Sequence, residues 1–303
     1  MTALSRPGQG FDAVLAALYA HPFKIHRPAE QRVPFVFASP HSGRLYPASF
    51  VAGSHLDAVT LRRSEDAYVD ILFDGAISMG APMIAARFPR AFLDVNRAAS
   101  ELDPAMFHGP LDMKVDTANA RVNAGLGVIP RVVRDGAEIY RDKLAPSEAV
   151  ERIERLHAAY HGALARLIDE TMQRFGVAIL IDCHSMPSAA SVPDIVLGDR
   201  FGASASPLAT RLAESAFERH GFSVARNTPY AGGHTTHIYG RRDNGVHALQ
   251  IEINRALYLD ESTIQPHTGF AAVRVRLSHA LMELMAIDLD ELGRAQTPRL
   301  AAE

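Results

Sequence analysis

The segment ILIDCHSMP, residues 179–187, decides the fold of this chain. A short apolar run ends in polar residues that include His184 and breaks at a proline, which predicts a buried strand over 177–182. The segment FVFASPHSG, residues 35–43, has the same design and carries His41. Ligands of open α/β sheets bind outside the carboxyl ends of the strands. Two such strands therefore predict one shared metal or catalytic site.

Strands and helices alternate along the rest of the chain. Further strands are predicted at 33–38, 83–86, 91–95, 194–198 and 246–253, and helices at 11–20, 64–73 (with Ser64 as N-cap), 146–175, 206–220 and 267–287. This alternation predicts an α/β fold with a mixed, mainly parallel central sheet flanked by helices. We expect one domain over 1–303. Residues 101–135 lack periodicity and predict long loops over the active-site face.

Composition narrows the class of protein. The chain is 48% hydrophobic and 21% charged, as ordinary soluble proteins are, and its formal net charge of −3 argues against a nucleic-acid partner. Its one cysteine, Cys183, excludes an intrachain disulfide, which is typical of a reducing cytosol and predicts a cytoplasmic location. No segment reaches the length of a transmembrane helix, so no membrane partner is expected.

The histidines suggest a metal centre. A catalytic zinc site usually has three protein ligands, so His41 and His184 would need a carboxylate partner. Glu65 and Asp66 stand at the start of the predicted helix 64–73. Their plain alternative role is to stabilise the helix dipole. From the residues alone, both roles stay open.

Arginines cluster around the predicted strand 91–95. Arg87 and Arg90 precede it, and Asn96 and Arg97 follow it. The planar guanidinium grips a carboxylate with two hydrogen bonds, so this cluster could hold an acidic substrate and stabilise an oxyanion. The alternative is that these are ordinary surface arginines. Three arginines and an asparagine around one short strand weaken that interpretation.

The strand at 246–253 carries a candidate base. Alternation puts Gln250, Glu252 and Asn254 on one face of it. Burial of a glutamate raises its pKa, as a general base near neutral pH requires. A buried salt bridge is the alternative. Cys183 could be a nucleophile, but we interpret it as a small buried filler.

Together, these motifs resemble the N-formylglutamate amidohydrolase (N-formylglutamate deformylase) family. They are SPHSG at 39–43, SED at 64–66, FLDVNR at 92–97, DCHS at 182–185 and the run from Gly240-Arg241 to Asn254. The similarity extends from about residue 33 to about residue 260. The family is similar in architecture to the zinc carboxypeptidases and aspartoacylase, which implies a zinc-carboxypeptidase-like (phosphorylase/hydrolase-like) fold.

The resemblance implies a ligand set. His41 and His184 would bind one Zn²⁺ ion, although other divalent metals are possible. The carboxypeptidases place their first two ligands as His-x-x-Glu, but Ser42, Gly43 and Arg44 follow His41 here. The resemblance therefore assigns the carboxylate ligand to Asp66, with Glu65 as the alternative.

The resemblance also implies a reaction. Zinc-activated water would attack the amide of N-formyl-L-glutamate, with Glu252 as general base and acid, giving L-glutamate and formate in histidine degradation. Arg90 would polarise the scissile carbonyl, and Asn96 and Arg97 would hold the α-carboxylate. A small acidic N-acyl amino acid is thus the expected partner.

The side-chain carboxylate of such a substrate needs a second cation. The candidates are Arg131, Arg134, Arg241 and Arg242, and Thr235 lies in a GHTT segment that could contact the substrate. Three other functions remain open: a related zinc acylase for another N-acyl amino acid, a carboxypeptidase-like peptidase, and a non-catalytic metal-binding protein.

Overall fold

The computed structural model describes residues 12–133, 136–189 and 191–287. The chain divides into two compact units, each discontinuous in sequence. The first unit comprises Met1–Lys24, Gly43–Glu65 and Ala86–Tyr160, and the second comprises Ile25–Ser42, Asp66–Ala85 and His161–Glu303. One domain over 1–303 stays a prediction.

A seven-stranded sheet is the main β structure. Its strands are β1 (Phe23–His26), β2 (Phe35–Ser39), β3 (Met83–Ala86), β4 (Ala178–Met186), β5 (Ile195–Gly198), β6 (Val224–Arg226) and β7 (Val246–Asn254). The spatial order is β1-β3-β2-β4-β7-β5-β6. The pairs β2–β3, β2–β4, β4–β7 and β5–β6 are parallel, and β5–β7 is antiparallel. The predicted mixed, mainly parallel sheet is confirmed. Strands β8 (Leu259–Asp260) and β9 (Gln265–Pro266) form a separate pair.

Helices lie within the predicted segments 11–20, 146–175, 206–220 and 267–287, and several short helices that were not predicted lie elsewhere in the described chain. They are α1 (Ala13–Ala20), α2 (Ala48–Ala52), α3 (Ala58–Arg62), α4 (Val69–Leu72), α5 (Gly75–Ser78), α6 (Ala120–Asn123), α7 (Pro146–Arg152), α8 (Ala159–Phe175), α9 (Pro207–Arg219), α10 (His234–Tyr239) and α11 (Phe270–Met285). A π-helical segment, Ile153–Ala158, joins α7 to α8. Ser206 caps α9, since its hydroxyl accepts a hydrogen bond from the Ala209 N–H at 3.2 Å. No helix in the described ranges is both long and apolar enough to cross a membrane.

Strands β4 and β7 direct their successive side chains to opposite faces of the sheet. Odd-numbered positions point into a core that the sheet shares with helices α4, α5, α9 and α11: Ile179, Ile181, Cys183, Leu249, Ile251 and Ile253. Because successive side chains of a strand point to opposite faces, the even-numbered residues lie on the other face. In the parallel register, His184 pairs with Glu252 and Asp182 with Gln250. The fold therefore places Asp182, His184, Gln250 and Glu252 on one face.

The helix predicted at 64–73 is wrong. Helix α3 ends at Arg62 and α4 begins at Val69, so Ser64 caps no helix. Between them, the Asp66 N–H donates to the His41 carbonyl at 3.0 Å, and Tyr68 has a φ of 63°. These tertiary contacts override the helical spacing of the segment.

The strand predicted at 91–95 is also wrong. The backbone N–H groups of Phe92 and Leu93 both donate to the Pro89 carbonyl, at 2.9 and 3.2 Å, which closes the chain into turns. The loops predicted at 101–135 are largely irregular where described. They contain one 3₁₀ turn, Pro104–Met106, and helix α6.

Candidate metal centre

Two histidines and one aspartate of the second unit converge on a small volume. Nδ1 of His41 lies 3.2 Å from Oδ2 of Asp66, and Nδ1 of His184 lies 2.9 Å from the same oxygen. The three ligand atoms lie within 4.8 Å of one another. All three residues are buried, with at most 3% exposure. Two imidazole nitrogens and a carboxylate oxygen match the donors of a mononuclear metal site, so these residues could hold a metal ion.

The sheet explains this convergence. Strands β2 and β4 are parallel neighbours, with Ala38 opposite Asp182. His41 follows the end of β2, and His184 lies two residues before the end of β4, so both reach the same edge of the sheet. Strand β4 extends beyond the predicted 177–182 and includes His184. Asp66 is tied to this edge through its backbone hydrogen bond to His41.

Asp182 supports His184 from behind. Its Oδ2 lies 3.0 Å from Nε2 of His184, and the side chain of Asp182 is fully buried. Because Nε2 donates its proton to this carboxylate, Nδ1 is the nitrogen that would lose its proton and offer its lone pair to a metal ion. A carboxylate behind a ligating histidine is a common companion of metal sites.

The charges within the cluster shift its pKa values. Burial disfavours the imidazolium of His184, but the charge of Asp182 and hydrogen bonds to Asp182 and Asp66 hold its pKa well above the usual value. Burial likewise disfavours the ionised form of Asp66. Hydrogen bonds from His184 and His41 nevertheless hold the pKa of this carboxyl well below its ordinary range. Asp66 is therefore ionised at neutral pH, as a metal ligand must be.

Glu65 has different hydrogen-bonding partners from its neighbour Asp66. Its carboxylate accepts a hydrogen bond from the Tyr46 hydroxyl at 2.7 Å and two from Arg62 at 3.0 and 3.1 Å. These contacts belong to the first unit. Of the two carboxylates considered from the sequence, Asp66 is the one that joins the histidines.

Glu252 stands beside the cluster on the neighbouring strand. It pairs with His184 across β4 and β7, where adjacent strands lie about 4.8 Å apart. Nε2 of Gln250 donates to Oε1 of Glu252 at 2.7 Å, which orients the carboxylate. Glu252 is 6% exposed. A buried, oriented carboxylate next to a potential metal site suits proton transfer.

Three of the four residues around the predicted strand 91–95 contact Asp94 in the first unit, whereas Arg87 donates to the His21 carbonyl at 2.9 Å. Nε of Arg90 lies 3.0 Å from Oδ2 of Asp94, and Nε of Arg97 lies 3.9 Å from the same oxygen. The Asn96 N–H donates to Oδ1 of Asp94 at 2.8 Å. Desolvation lowers the pKa of Arg97, although Asp94 opposes this shift. The first unit thus holds two guanidinium groups and a backbone N–H around one buried carboxylate.

The remaining candidates are dispersed. Thr235 is buried in the first turn of α10, which packs against β4 and β7. Arg241 is exposed and forms an isolated β-bridge with Val246, the first residue of β7. Val246 lies six residues before Glu252, which is roughly 20 Å along the strand. The structure therefore does not bring Arg241 to the edge that carries His184 and Glu252.

The other two candidate arginines that the structure describes have partners of their own. Arg131 pairs with Asp103 and Glu138 in the first unit, Arg242 donates to the Gly202 carbonyl, and Arg134 lies outside the described residues. Cys183 points into the core on the other face of β4. Burial raises its pKa well above the usual value, so the thiol is no nucleophile.

Arg255 and Ser185 are parts of the cluster that the sequence interpretation missed. Both donate hydrogen bonds to Oδ1 of Asp66, the oxygen that does not face the histidines. A signal was present, because Arg255 directly follows the alternating run that ends at Asn254. Asp182, two residues before His184, lies on the same face of β4 and was quoted only as part of a motif.

The fold and this cluster define an α/β protein with a potential metal site at the carboxyl ends of its parallel strands. Known proteins identify the family. The sequence profile described as N-formylglutamate amidohydrolase matches residues 33–259. The chain belongs to the N-formylglutamate amidohydrolase family.

Individual relatives agree with this assignment. The chain is 30% identical to the N-formylglutamate deformylase of Pseudomonas putida and 32% identical to that of Pseudomonas aeruginosa, in each case over 240 residues that cover 76% of this chain and 84% of the relative. The crystal structure of N-formylglutamate amidohydrolase from Ralstonia eutropha JMP134 matches with a TM-score of 0.82 and 35% identity, covering 90% of this chain and 99% of that one. A protein of Agrobacterium tumefaciens shares the fold at a TM-score of 0.60 and 18% identity, over 91% of this chain and 98% of its own.

Proposed function

We propose that this protein is a zinc-dependent amidohydrolase that cleaves N-formyl-L-glutamate to L-glutamate and formate. The observation that carries the proposal is the convergence of His41, Asp66 and His184 beside Glu252 on the neighbouring strand. The relatives named above as N-formylglutamate deformylases supply the substrate. A role in histidine degradation and a cytoplasmic location, expected from the resemblance and from the single cysteine, belong to the same proposal.

The donor set fits one zinc ion. Nδ1 of His41, Oδ2 of Asp66 and Nδ1 of His184 would hold it, and three protein ligands leave a position for water or substrate, as catalytic zinc sites require. When bound, zinc supplies a Lewis acid that lowers the pKa of a water and polarises a carbonyl.

Glu252 moves the proton in this proposal. Its carboxylate accepts a proton from the attacking water and returns it to the amide nitrogen of the substrate as the C–N bond breaks. The water oxygen ends in formate, and the protonated nitrogen leaves as the amine of glutamate. Gln250 holds Oε1 of Glu252 at 2.7 Å and so limits the rotation of the carboxylate.

The substrate needs cationic partners for its carboxylates. We propose that Asn96 and Arg97 bind the α-carboxylate and that Arg90 contacts the carbonyl that becomes negatively charged. The shared contact with Asp94 supports this, because it holds the guanidinium groups of Arg90 and Arg97 beside one carboxylate and fixes the backbone at Asn96 within the first unit. Thr235 remains a proposed substrate contact. Arg241 does not, since it lies at the far end of β7 from Glu252.

Formate release from N-formyl-L-glutamate tests the proposal. The purified protein is assayed as prepared, after removal of metal with a chelator, and after zinc is added back. Release that the chelator abolishes and zinc restores is the expected result. N-formyl-L-glutamine is assayed for formate in parallel, and N-acetyl-L-glutamate and N-succinyl-L-glutamate are assayed for release of L-glutamate. If any of these three compounds is turned over faster, that compound and not N-formyl-L-glutamate is the preferred substrate. The protein would still be a metal-dependent acylase.

A further inference from the structure

The two carboxylate oxygens of Asp66 face different groups. Oδ2 lies against Nδ1 of His41 at 3.2 Å and Nδ1 of His184 at 2.9 Å. Oδ1 accepts hydrogen bonds from Nη2 of Arg255 at 3.1 Å and from the hydroxyl of Ser185 at 3.2 Å. A carboxylate with one oxygen held in this way can turn only its other oxygen toward a metal ion.

Arg255 is itself held firmly. Only 3% of the residue is exposed, and its Nε donates to Oγ of Ser185 at 3.0 Å, which closes a ring of three side chains with Asp66. Its Nη1 lies 3.8 Å from Oε2 of Glu261. Glu261 is fixed in turn, because its Oε1 accepts hydrogen bonds from the N–H and the hydroxyl of Ser188, the former at 2.9 Å. The planar guanidinium therefore has partners on several of its edges.

The end of β7 brings Arg255 to this position. Asn254, the last residue of β7, is opposite Met186 of β4. The Asn254 side chain accepts a hydrogen bond from the Ala256 N–H at 3.0 Å and starts a 3₁₀ turn, Arg255–Leu257. The first residue after the strand thus leaves the sheet beside Ser185, which precedes Met186 in β4.

We propose that Arg255 is a positioning residue of the metal centre. It holds Asp66 so that Oδ2 alone faces the ion, and by this preorganisation it raises the affinity of the site for zinc. The inference rests on the metal-dependent function proposed above. Loss of a hydrogen-bonding partner behind a metal ligand typically weakens metal binding by about 10- to 100-fold.

Charge alone would have the opposite effect. A guanidinium close to the site repels a divalent cation, so removing Arg255 would tighten binding if repulsion dominated. Glu261, 3.8 Å from Nη1, and Asp66, 3.1 Å from Nη2, offset most of that positive charge. The effect of positioning Asp66 should therefore exceed the charge repulsion. The sign of the change in zinc affinity distinguishes the two effects.

The test compares Arg255→Met with a matched control, Arg274→Met. Arg274 also belongs to the second unit and pairs with an aspartate, Asp74, at 2.7 and 2.8 Å, but its side chain is 45% exposed. Both variants lose one positive charge and one Arg–Asp pair. Zinc affinity is measured at pH 7.5 by competition with a chromophoric chelator. We expect zinc binding about 10- to 100-fold weaker in Arg255→Met and within twofold of wild type in Arg274→Met.

A second measurement reports coordination directly. In the cobalt-substituted protein, the intensity of the visible bands falls as the coordination number rises. Once Oδ1 is released, Asp66 can bind with both oxygens, so Arg255→Met should show weaker bands than wild type. Arg255→Lys retains the positive charge but not the planar guanidinium with its several donors. We expect its zinc affinity to lie between those of Arg255→Met and wild type.

Zinc binding in Arg255→Met that equals or exceeds that of wild type would overturn the inference. If this variant does not fold, Arg255→Lys and Ser185→Ala decide. Each should weaken zinc binding severalfold, and affinities within twofold of wild type would overturn the inference. A wild-type protein that binds no zinc would overturn the proposed function, and this inference with it. Normal wild-type binding with unaffected variants would overturn only the role of Arg255.

Discussion

Asp182→Asn should weaken zinc binding without unfolding the protein. The carboxylate of Asp182 is fully buried and lies 3.0 Å from Nε2 of His184. The asparagine has nearly the same shape, so the substitution removes the charge and leaves the packing intact. The proton on Nε2 becomes more acidic when Nδ1 binds a metal ion, so the hydrogen bond to a carboxylate matters most in the metal-bound state.

The size of the effect follows from two contributions. A hydrogen bond to a charged group is worth about 1.5–3 kcal/mol and one between neutral groups about 0.5–1.5, so the change in charge costs roughly 1–1.5 kcal/mol. At 1.4 kcal/mol per tenfold, this is about five- to tenfold in the dissociation constant. The amide can also turn its NH₂ group toward Nε2, which favours the wrong tautomer of His184. Together the two should weaken zinc binding by about 10- to 100-fold.

Competition with a chromophoric chelator measures this affinity, and Asp199→Asn is the matched control. Asp199 is also buried in the second unit, where it accepts hydrogen bonds from Thr210, Gly202 and Asn227 at 2.8 to 2.9 Å. The control variant should lose stability and keep its zinc affinity. A folded Asp182→Asn protein that binds zinc within twofold of wild type would refute the role assigned to Asp182.

Three further predictions concern the base, the core and the pH dependence of stability. Glu252→Gln should lower kcat for N-formyl-L-glutamate by about 10²- to 10⁴-fold with unchanged zinc content, and near-normal turnover would rule out Glu252 as the base. Cys183→Ala should reduce the free energy of unfolding by about 1 kcal/mol and keep kcat within twofold, whereas loss of activity in a folded variant would contradict its core position. Burial, with a smaller effect from Arg242, lowers the pKa of His247 to about 4, and its Nδ1 accepts the Ser206 N–H at 3.2 Å. The unfolded chain, with a histidine pKa of about 6.5, binds the additional proton first as the pH falls. The stability that this neutral histidine contributes is therefore complete above pH 6.5 and is lost as the pH falls from 6.5 toward 4. Urea unfolding at pH 7.5 and pH 5.0 should show a loss about 2 kcal/mol larger in wild type than in His247→Gln, and equal losses would refute the shift.

The sequence predicted the sheet and both histidines because each depends on local pattern. An apolar run that ends in His41 or His184 is visible in a few residues, and parallel strands bring their carboxyl ends to one edge of the sheet. The choice between Glu65 and Asp66 was different. Adjacent residues on a turn point in different directions, so only the contacts with Arg62 and with the histidines distinguish them.

Elements that depend on distant partners were mispredicted or missed. Residues 64–73 have helical spacing, yet the contacts of Asp66 with His41 and with His184, 118 residues away, break the helix. Arg255 meets Asp66 across 189 residues of chain, a separation over which no local pattern carries information. Local propensity yields to tertiary contacts of this kind.

The strand order has a consequence for the way the protein is made. Strand β7 lies between β4 and β5, although β5 and β6 precede it in the chain. During synthesis, the ribosome releases His41, Asp66 and His184 before any residue of β7 emerges. Until β7 emerges, β4 and β5 present open edges that can pair with other chains. Glu252 arrives on this last strand, so a nascent chain can gather its metal ligands before it acquires its base.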